Sequence, residues 1–189
     1  MPALPQSRTL ASLPPAHFTL NTSLSTDFTK ILKIQGVNTL IRTAASSATV
    51  HLLITSLSED KVIMKQTAMS SKLPGTEEEY PLDWTWRGSS NGLFGKVEGR
   101  ARWVGVDEGR KEGGVVGEDE RVQWVFGEGE EERLLQAEGK DAEGKWEAFH
   151  LLGFETLGGE RRFTRRVFVR NKNGDEVRGV MVWDWVGEE

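Results

Sequence analysis

Hydrophobic side chains recur along this chain with two different periods, and the change between them separates a helical part from a strand part. Two segments, 25–35 and 37–47, carry apolar residues at helical spacing. Gly36 lies between them, and glycine adopts the left-handed conformation that ends a helix without a Cβ clash. From residue 48 onward apolar and polar residues alternate, which is typical of β-strands. The pattern therefore predicts two short helices followed by a long run of strands.

The alternating part divides into nine segments, and a short extended piece at 17–21 brings the total to ten predicted strands. The strands predicted after the helices are residues 48–57, 61–69, 75–87, 95–104, 121–127, 132–138, 145–154, 161–170 and 176–186. No further helix is predicted. Sequential strands joined by short turns, with one helical pair after the first, predict a mainly β fold: a ten-stranded up-and-down antiparallel β-barrel without open edges. The helical pair then forms a helix-turn-helix lid.

Two segments sharpen this prediction. Residues 96–103 (KVEGRARW) place charges on one strand face and small or apolar residues on the other. Glycine and alanine on an inner face leave room for another backbone or for something that is not protein. Asn173-Gly174 predicts a tight hairpin between the last two strands, because both residues tolerate positive φ.

The N-terminal residues and the one long connection differ in composition from the predicted strands. Four of the six prolines lie in the first 15 residues, which predicts a flexible Pro-rich leader over 1–16 and a single barrel domain over 17–189. Residues 105–120 are rich in glycine and charge, which predicts a mobile, solvated acidic loop.

Composition excludes several classes of protein. The 189 residues contain no cysteine, which removes disulfides, thiolate metal sites and a cysteine nucleophile. A net charge of -5 disfavours nucleic acid as a partner. No apolar run is long enough for a membrane span, and residues 1–15 do not resemble a secretory signal. We therefore expect a cytoplasmic protein without stable membrane insertion, and we predict no cofactor and no metal site.

Residues 27–45 (DFTKILKIQGVNTLIRTAA) carry a family resemblance. This segment resembles the helix-turn-helix lid of the fatty-acid-binding proteins, which belong with the lipocalins to the calycin superfamily. The shared features are the acidic-aromatic start at Asp27-Phe28, the Gly36-Val37 turn and Arg42 near the end of the second helix. The likeness covers residues 17 to about 69 and is architectural beyond them. It implies a calycin-type barrel that holds a hydrophobic ligand.

The last predicted strand departs from that family. Fatty-acid-binding proteins end in an Arg-x-Tyr pair that grips a carboxylate, whereas residues 180–185 here read VMVWDW. No arginine precedes an aromatic residue at that spacing, so this strand lacks the pair with which that family holds a fatty-acid carboxylate. We expect a distant relative with a different ligand.

Large aromatic side chains dominate the candidate binding residues, since the chain has seven Trp and one Tyr. By alternation most of them share the inner face of the barrel, although buried tryptophans are also ordinary core material. The predicted ligand-binding residues are Trp84, Trp86, Trp103, Trp124, Trp146, His150, Arg165, Met181 and Trp183.

Residues 82–87 (LDWTWR) leave two alternatives open. If the polar face of this strand is inside, Asp83 and Arg87 form a buried charged pair suited to acid–base work. If the aromatic face is inside, Trp84 and Trp86 line the cavity. The cost of burying charge favours the second alternative. Asp83 and His150 are the catalytic candidates if the protein is an enzyme, with His150 entering an apolar interior where it is either a proton donor or a hydrogen-bonded core residue.

The hairpin at 161–178 is strongly basic. Most of its cations are expected on a solvated strand face, because the intervening residues alternate as strand faces do and no nucleic-acid motif is present. Arg165 shares the parity of Phe163, Val167 and Val169, so it alone is predicted to point inward and to supply an anion contact.

Three functions remain open at this stage. The leading hypothesis is binding of a hydrophobic small molecule, a lipid or a polyketide- or terpene-like compound, in the barrel cavity. A cofactor-free cyclase or isomerase of natural-product biosynthesis, such as a Diels–Alderase, would use the same cavity. A structural or interaction barrel with a filled core is the third.

Overall fold

The computed structural model describes residues 4–69, 75–111 and 122–188. These residues contain ten strands and three helices. The strands are β1 (Ala16–Leu20), β2 (Thr49–Leu57), β3 (Lys61–Met69), β4 (Thr76–Pro81), β5 (Arg87–Asn91), β6 (Gly95–Gly105), β7 (Arg133–Asp141), β8 (Trp146–Leu157), β9 (Glu160–Asn171) and β10 (Glu176–Gly187). The helices are α1 (Phe28–Ile34), α2 (Thr39–Ser46) and α3 (Val106–Lys111).

The strands form one nearly closed antiparallel barrel. Their order is β4-β3-β2-β1-β10-β9-β8-β7-β6-β5, so strands that pair in the sheet are consecutive in the chain, except that β1 pairs with β10. The two ends of the sheet, β4 and β5, face each other without a hydrogen-bonded ladder. The mainly β, ten-stranded up-and-down barrel with a helix pair after the first strand is confirmed.

The gap in the barrel lies inside a segment predicted as one strand. The predicted strand 75–87 is wrong as a continuous element, because β4 ends at Pro81 and β5 begins at Arg87. Proline has no N–H with which to extend the ladder. Asp83 Oδ1 then accepts a hydrogen bond from Thr85 N (3.0 Å), and Trp84 between them has a φ of 60°. A local turn therefore replaces the strand at this point.

The predicted strand 121–127 is also wrong. In its described part, 122–127, a single backbone bridge joins Trp124 to Glu155 of β8. β7 occupies the same edge of β8 as far as the Leu135–Leu152 pair, so little edge remains for another strand. The number of strands still equals ten because residues 75–91 supply two.

The acidic connection contains a helix that the sequence pattern did not predict. α3 occupies residues 106–111 of the predicted loop 105–120, and residues 112–120 lie outside the described residues. Gly109 brings α3 onto β8, since a Cβ there would lie 3.1 Å from a methyl group of Leu151. Val104, Leu134 and Leu151 are buried beneath this covering segment on the outer face of the barrel. The helix is too short to show a periodicity in the sequence.

The end of the barrel away from α1 and α2 is filled with side chains. Phe18, Phe154, Phe163 and Trp183 are fully buried there. Phe18 and Phe163 stack with ring centroids 5.3 Å apart. Alternation along β1, β8, β9 and β10 produces this arrangement, because every second side chain faces inward.

The N-terminal segment closes that filled end. Residues 1–16 are predicted as a flexible leader, yet the structure buries Leu4, Leu10 and Leu13 in the main core. Arg161 of β9 donates to the carbonyl oxygens of Pro5 (3.3 Å) and Arg8 (2.7 Å). The leucines are too widely spaced among prolines to form a helical or strand pattern, so their burial was not apparent from periodicity.

Helices α1 and α2 cover the opposite end. Asp27 caps α1 by accepting from Thr29 N, and Asn38 caps α2 by accepting from Ile41 N, both at 3.0 Å. Gly36 joins them with a φ of 77°. Ile31, Leu32 and Ala45 are buried toward the barrel, which makes this pair a lid. None of the described helices is long and apolar enough to cross a membrane.

Candidate ligand cavity

A cavity of about 200 Å³ lies between the lid and the filled half of the barrel. Phe28, Ile31 and Leu32 form its roof from the lid side. Its walls are the inward-facing residues at the lid end of the strands, among them Val97, Trp146, Ala148 and Val167. The same alternation that fills one half with phenylalanine and tryptophan places alanine and valine here, so space remains. The interaction-barrel hypothesis requires a core that is filled throughout, and this cavity shows that the lid end of the barrel is not filled.

Charged side chains meet at the bottom of this cavity. Arg165 of β9 donates through Nη1 and Nη2 to the two carboxylate oxygens of Glu78, at 2.9 and 3.1 Å. Its Nε donates to His150 Nδ1 at 3.2 Å. The pair is largely enclosed, with side-chain exposures of 8% for Arg165 and 18% for Glu78. A bidentate arginine–carboxylate pair in such surroundings is strongly oriented.

Tyr80 completes the group that we call the polar floor: Glu78, Tyr80, His150 and Arg165. Tyr80 follows Glu78 on the inward face of β4, and its ring lies against Gly99 of β6. A Cβ at Gly99 would lie 2.5 Å from that ring, so the Tyr80 side chain fits here only because residue 99 is glycine. The small inner face of β6 thus accommodates a side chain from across the gap between the two sheet ends.

The proton positions on the floor follow from its contacts. Arginine only donates, so His150 Nδ1 accepts and the imidazole carries its proton on Nε2. Burial inside the barrel lowers the pKa of His150 well below its usual range, and the positive charge of Arg165 lowers it further. Burial also raises the pKa of the Tyr80 hydroxyl, and the negative charge of Glu78 raises it further. Near neutral pH both groups are therefore uncharged donors.

No protein-family model matches the chain, and no curated protein matches it in sequence. Its backbone is similar to solved structures. The REP1-NXSQ fatty acid transporter has a TM-score of 0.55 at 14% identity, over 95% of this chain and 100% of that one. Fatty-acid-binding protein 1 of Echinococcus granulosus has a TM-score of 0.55 at 16% identity, over 91% and 96%. The fluorescent protein UnaG has a TM-score of 0.53 at 14% identity, over 90% and 96%.

The chain has a distant fatty-acid-binding-protein-like calycin fold. The resemblance carried by residues 27–45 is borne out at the level of the fold, since the lid lies where it predicts. None of the three solved structures described above is named as a cyclase or an isomerase, and that alternative stays a prediction.

Four of the predicted ligand-binding residues line the cavity of this calycin barrel: Trp146, His150, Arg165 and Met181. The structure places Arg165 inside, on the parity shared with Phe163 and Val167. Arg161 shares that parity too and is also buried, at the filled end, so Arg165 is not alone in pointing inward. The other five predicted residues, all tryptophans, lie elsewhere.

Trp84 and Trp86 lie on the outer face rather than in the cavity. The guanidinium carbon of Arg100 lies 3.9 Å from the ring centroid of Trp84 and 4.5 Å from that of Trp86. Asp83 forms an exposed ion pair with Arg87 (2.7 Å), and this hydrogen-bonded pairing holds the pKa of Asp83 below its usual range. Both alternatives for residues 82–87 assumed a strand with one inward face, and the turn after Pro81 removes that condition. Asp83 and His150 are consequently not brought together.

Trp103, Trp124 and Trp183 serve packing. Trp183 is fully buried in the filled half. Trp103 lies at the filled end, where its Nε1 donates to the Ser58 carbonyl oxygen at 3.2 Å. Trp124 packs on the outer face over Gly153, where a Cβ would lie 2.9 Å from the indole ring. Trp103 and Trp183 differ from Trp146 in their depth along the barrel, which alternation does not encode, whereas Trp124 lies outside the barrel.

The basic hairpin is largely neutralised by carboxylates. Arg166 pairs with Glu155 at 2.8 Å, and Arg162 pairs with Glu160 at 2.7 Å and with Asp184. Arg170 pairs with Glu147. The side chains of Arg162 and Arg166 are each 15% exposed, which is less than the predicted solvated face implies. Their partners Asp184 and Glu155 are also contacted by Asn21 and by the Trp124 backbone.

Sequence reasoning missed Glu78 and Tyr80. The run Glu77-Glu78-Glu79 resembles a solvated charged stretch, but alternation places Glu78 with Tyr80 on one face of β4 and Glu77 with Glu79 on the other. An arginine that is predicted to point inward needs a buried counter-charge, and this requirement could have directed the search to an inward-facing carboxylate such as that of Glu78. The structure also brings His17 Nε2 to 2.8 Å from His51 Nδ1 on the neighbouring strand, a pairing that the sequence pattern does not indicate. Among the described residues no group of three or more His, Asp and Glu side chains is placed to hold a metal ion.

The depressed pKa of His150 predicts an acid-sensitive stability. Below pH 6.5 the unfolded chain binds a proton that the folded chain does not bind at this site, so the free energy of unfolding falls as the pH falls. From pH 7.5 to 5.5 the free energy of unfolding falls by about 1 kcal/mol because of this histidine. The groups facing it are Arg165 from β9 and Glu78 and Tyr80 from β4.

Urea unfolding of wild type and His150→Gln at several pH values measures this effect. Glutamine keeps an acceptor for Arg165 and does not titrate, so groups common to both proteins cancel in the difference. We expect the difference in unfolding free energy to shift in favour of the variant as the solution becomes more acidic. A difference that stays constant with pH would contradict the assignment.

Proposed function

We propose that this protein binds a compact hydrophobic small molecule in the cavity between the lid and the polar floor. The observation that carries the proposal is a predominantly apolar cavity of about 200 Å³ that ends on a small group of oriented polar side chains. Apolar walls supply binding energy through burial, at roughly 25 cal/mol per Å², and a few polar groups fix orientation. The names of the structural neighbours, a fatty acid transporter and fatty-acid-binding proteins, support an apolar ligand.

The dimensions of the cavity favour a compact ligand. Its volume of about 200 Å³ lies below the range of roughly 300–1,000 Å³ that is usual for sites of drug-sized ligands. A molecule the size of a medium-chain alcohol therefore matches this space better than a long-chain lipid does.

Filling the cavity tests the proposal. Ala148 points into it from β8, so Ala148→Phe should weaken binding of medium-chain apolar compounds such as 1-decanol in isothermal titration calorimetry. The matched control is Ala142→Phe, which places the same side chain at an exposed position in the turn between β7 and β8. Circular dichroism establishes that both variants fold.

We expect wild type and Ala142→Phe to bind with equal affinity and Ala148→Phe to lose at least tenfold, since the added ring takes the ligand's place. Native mass spectrometry of the purified protein, followed by organic extraction, gives an independent measurement of a bound apolar compound. A panel of alcohols, esters and terpenes that fails to bind to wild type would overturn the proposal.

A further inference from the structure

We propose that the cavity selects uncharged ligands and binds their polar end as a hydrogen-bond acceptor on His150 and Tyr80, while rejecting carboxylates. This inference rests on the proposed function and adds the chemical class of the ligand. Alcohols, esters, ketones and lactones of compact apolar skeletons belong to that class, whereas free fatty acids do not.

The charge of Arg165 is already neutralised by an ion pair with Glu78. Both oxygens of Glu78 accept from its guanidinium group, and Gln66 Nε2 lies 3.4 Å from the same carboxylate. Arginine and glutamate together carry no net charge, so an incoming carboxylate finds no uncompensated cation. To reach the guanidinium fork it would have to displace Glu78 and leave that carboxylate buried without its partner, which is costly.

A cationic ligand is excluded for the same reason. An ammonium group at the floor would lie beside a carboxylate that is already neutralised, and it would also lie beside the guanidinium group. The free-energy cost of removing water from the ammonium group would then not be compensated by an interaction in the cavity. The paired floor therefore disfavours both signs of charge.

The remaining polar atoms of the floor are donors. His150 Nδ1 is occupied by Arg165, which leaves Nε2–H, and the Tyr80 hydroxyl belongs to the same cavity wall. Neither His150 Nε2 nor the Tyr80 hydroxyl has a hydrogen-bond partner among residues 4–69, 75–111 and 122–188. A ligand carbonyl, ether or hydroxyl oxygen satisfies such donors without bringing charge.

Three ligands with one skeleton separate these properties: 1-decanol, decanoate and decylammonium, titrated by calorimetry at pH 7.5. Any apolar cavity favours the alcohol, so variants of the floor decide the test. Glu78→Gln leaves Arg165 charged and should raise the affinity for decanoate roughly tenfold or more. Arg165→Gln leaves Glu78 charged and should raise the affinity for decylammonium instead.

The control is Glu79→Gln, the neighbouring residue on the outer face of β4, where the carboxylate pairs with Lys61 at 3.5 Å. It removes the same charge from the same strand without touching the floor, and we expect wild-type affinities for all three ligands. The affinity for 1-decanol should change by less than about threefold in every variant, since the alcohol does not depend on the net charge.

The outcomes separate this inference from the proposed function. Decanoate binding to wild type as tightly as 1-decanol, or no gain in Glu78→Gln, overturns selection for uncharged ligands but leaves the binding function intact. Binding of none of the three ligands to folded wild type overturns the binding function and this inference with it. If Glu78→Gln does not fold, the test rests on Arg165→Gln. A higher affinity of that variant for decylammonium supports the inference, and an unchanged affinity overturns it.

Discussion

The Leu13→Ala variant is expected to lose roughly 2–5 kcal/mol of unfolding free energy, although Leu13 lies in a segment whose prolines mark it as a leader. Its side chain is fully buried with Phe18, Phe154 and other residues of the main core. Truncation removes buried methyl groups and leaves a cavity in a region that is otherwise closely packed. Urea unfolding followed by tryptophan fluorescence measures the loss.

Leu40→Ala provides the matched comparison. Leu40 is the most exposed large apolar side chain of the described residues, at 82%, so the same substitution should stay within about 0.5 kcal/mol of wild type. Equal stabilities for both variants would show that the N-terminal segment behaves in solution as the flexible leader that its composition predicts.

The Glu155→Ala variant should be destabilised by roughly 3–5 kcal/mol, because it leaves the Arg166 guanidinium group, which is only 15% exposed, without its counter-charge. Glu155 is 2% exposed and accepts from Arg166 Nε (3.0 Å), Arg166 Nη2 (2.8 Å) and Thr164 Oγ1 (2.6 Å). The segment around Trp124 covers this pair on the outer face of β8 and β9.

An exposed pair on the same two strands serves as the control. Glu147 pairs with Arg170, and their side chains are 39% and 48% exposed. Glu147→Ala should therefore cost less than about 1 kcal/mol. The double variant Glu155→Leu with Arg166→Met should recover most of the stability, since an apolar pair of similar volume avoids the desolvation of both charges. Equal losses for Glu155→Ala and Glu147→Ala would refute the role assigned to burial.

Local patterns determined much of this protein. The helical spacing on either side of Gly36 and the alternation after residue 48 predicted the lid, most strands and the barrel, because both periods reflect which side chains face the interior. The same alternation predicted that Arg165 points inward. Asn173-Gly174 marked the hairpin between β9 and β10, which the structure contains.

Only the tertiary structure decided the rest. Alternation indicates which face of a strand is inward but not how deep a residue lies, so it did not separate Trp146 in the cavity from Trp183 in the filled half. The burial of Leu13 depends on contacts with strands far along the chain, and the partnership of Glu78 with Arg165 joins residues 87 positions apart. Sequence periodicity records the environment of each residue along its own element, whereas depth, gap position and charge pairing depend on which elements meet when the barrel closes.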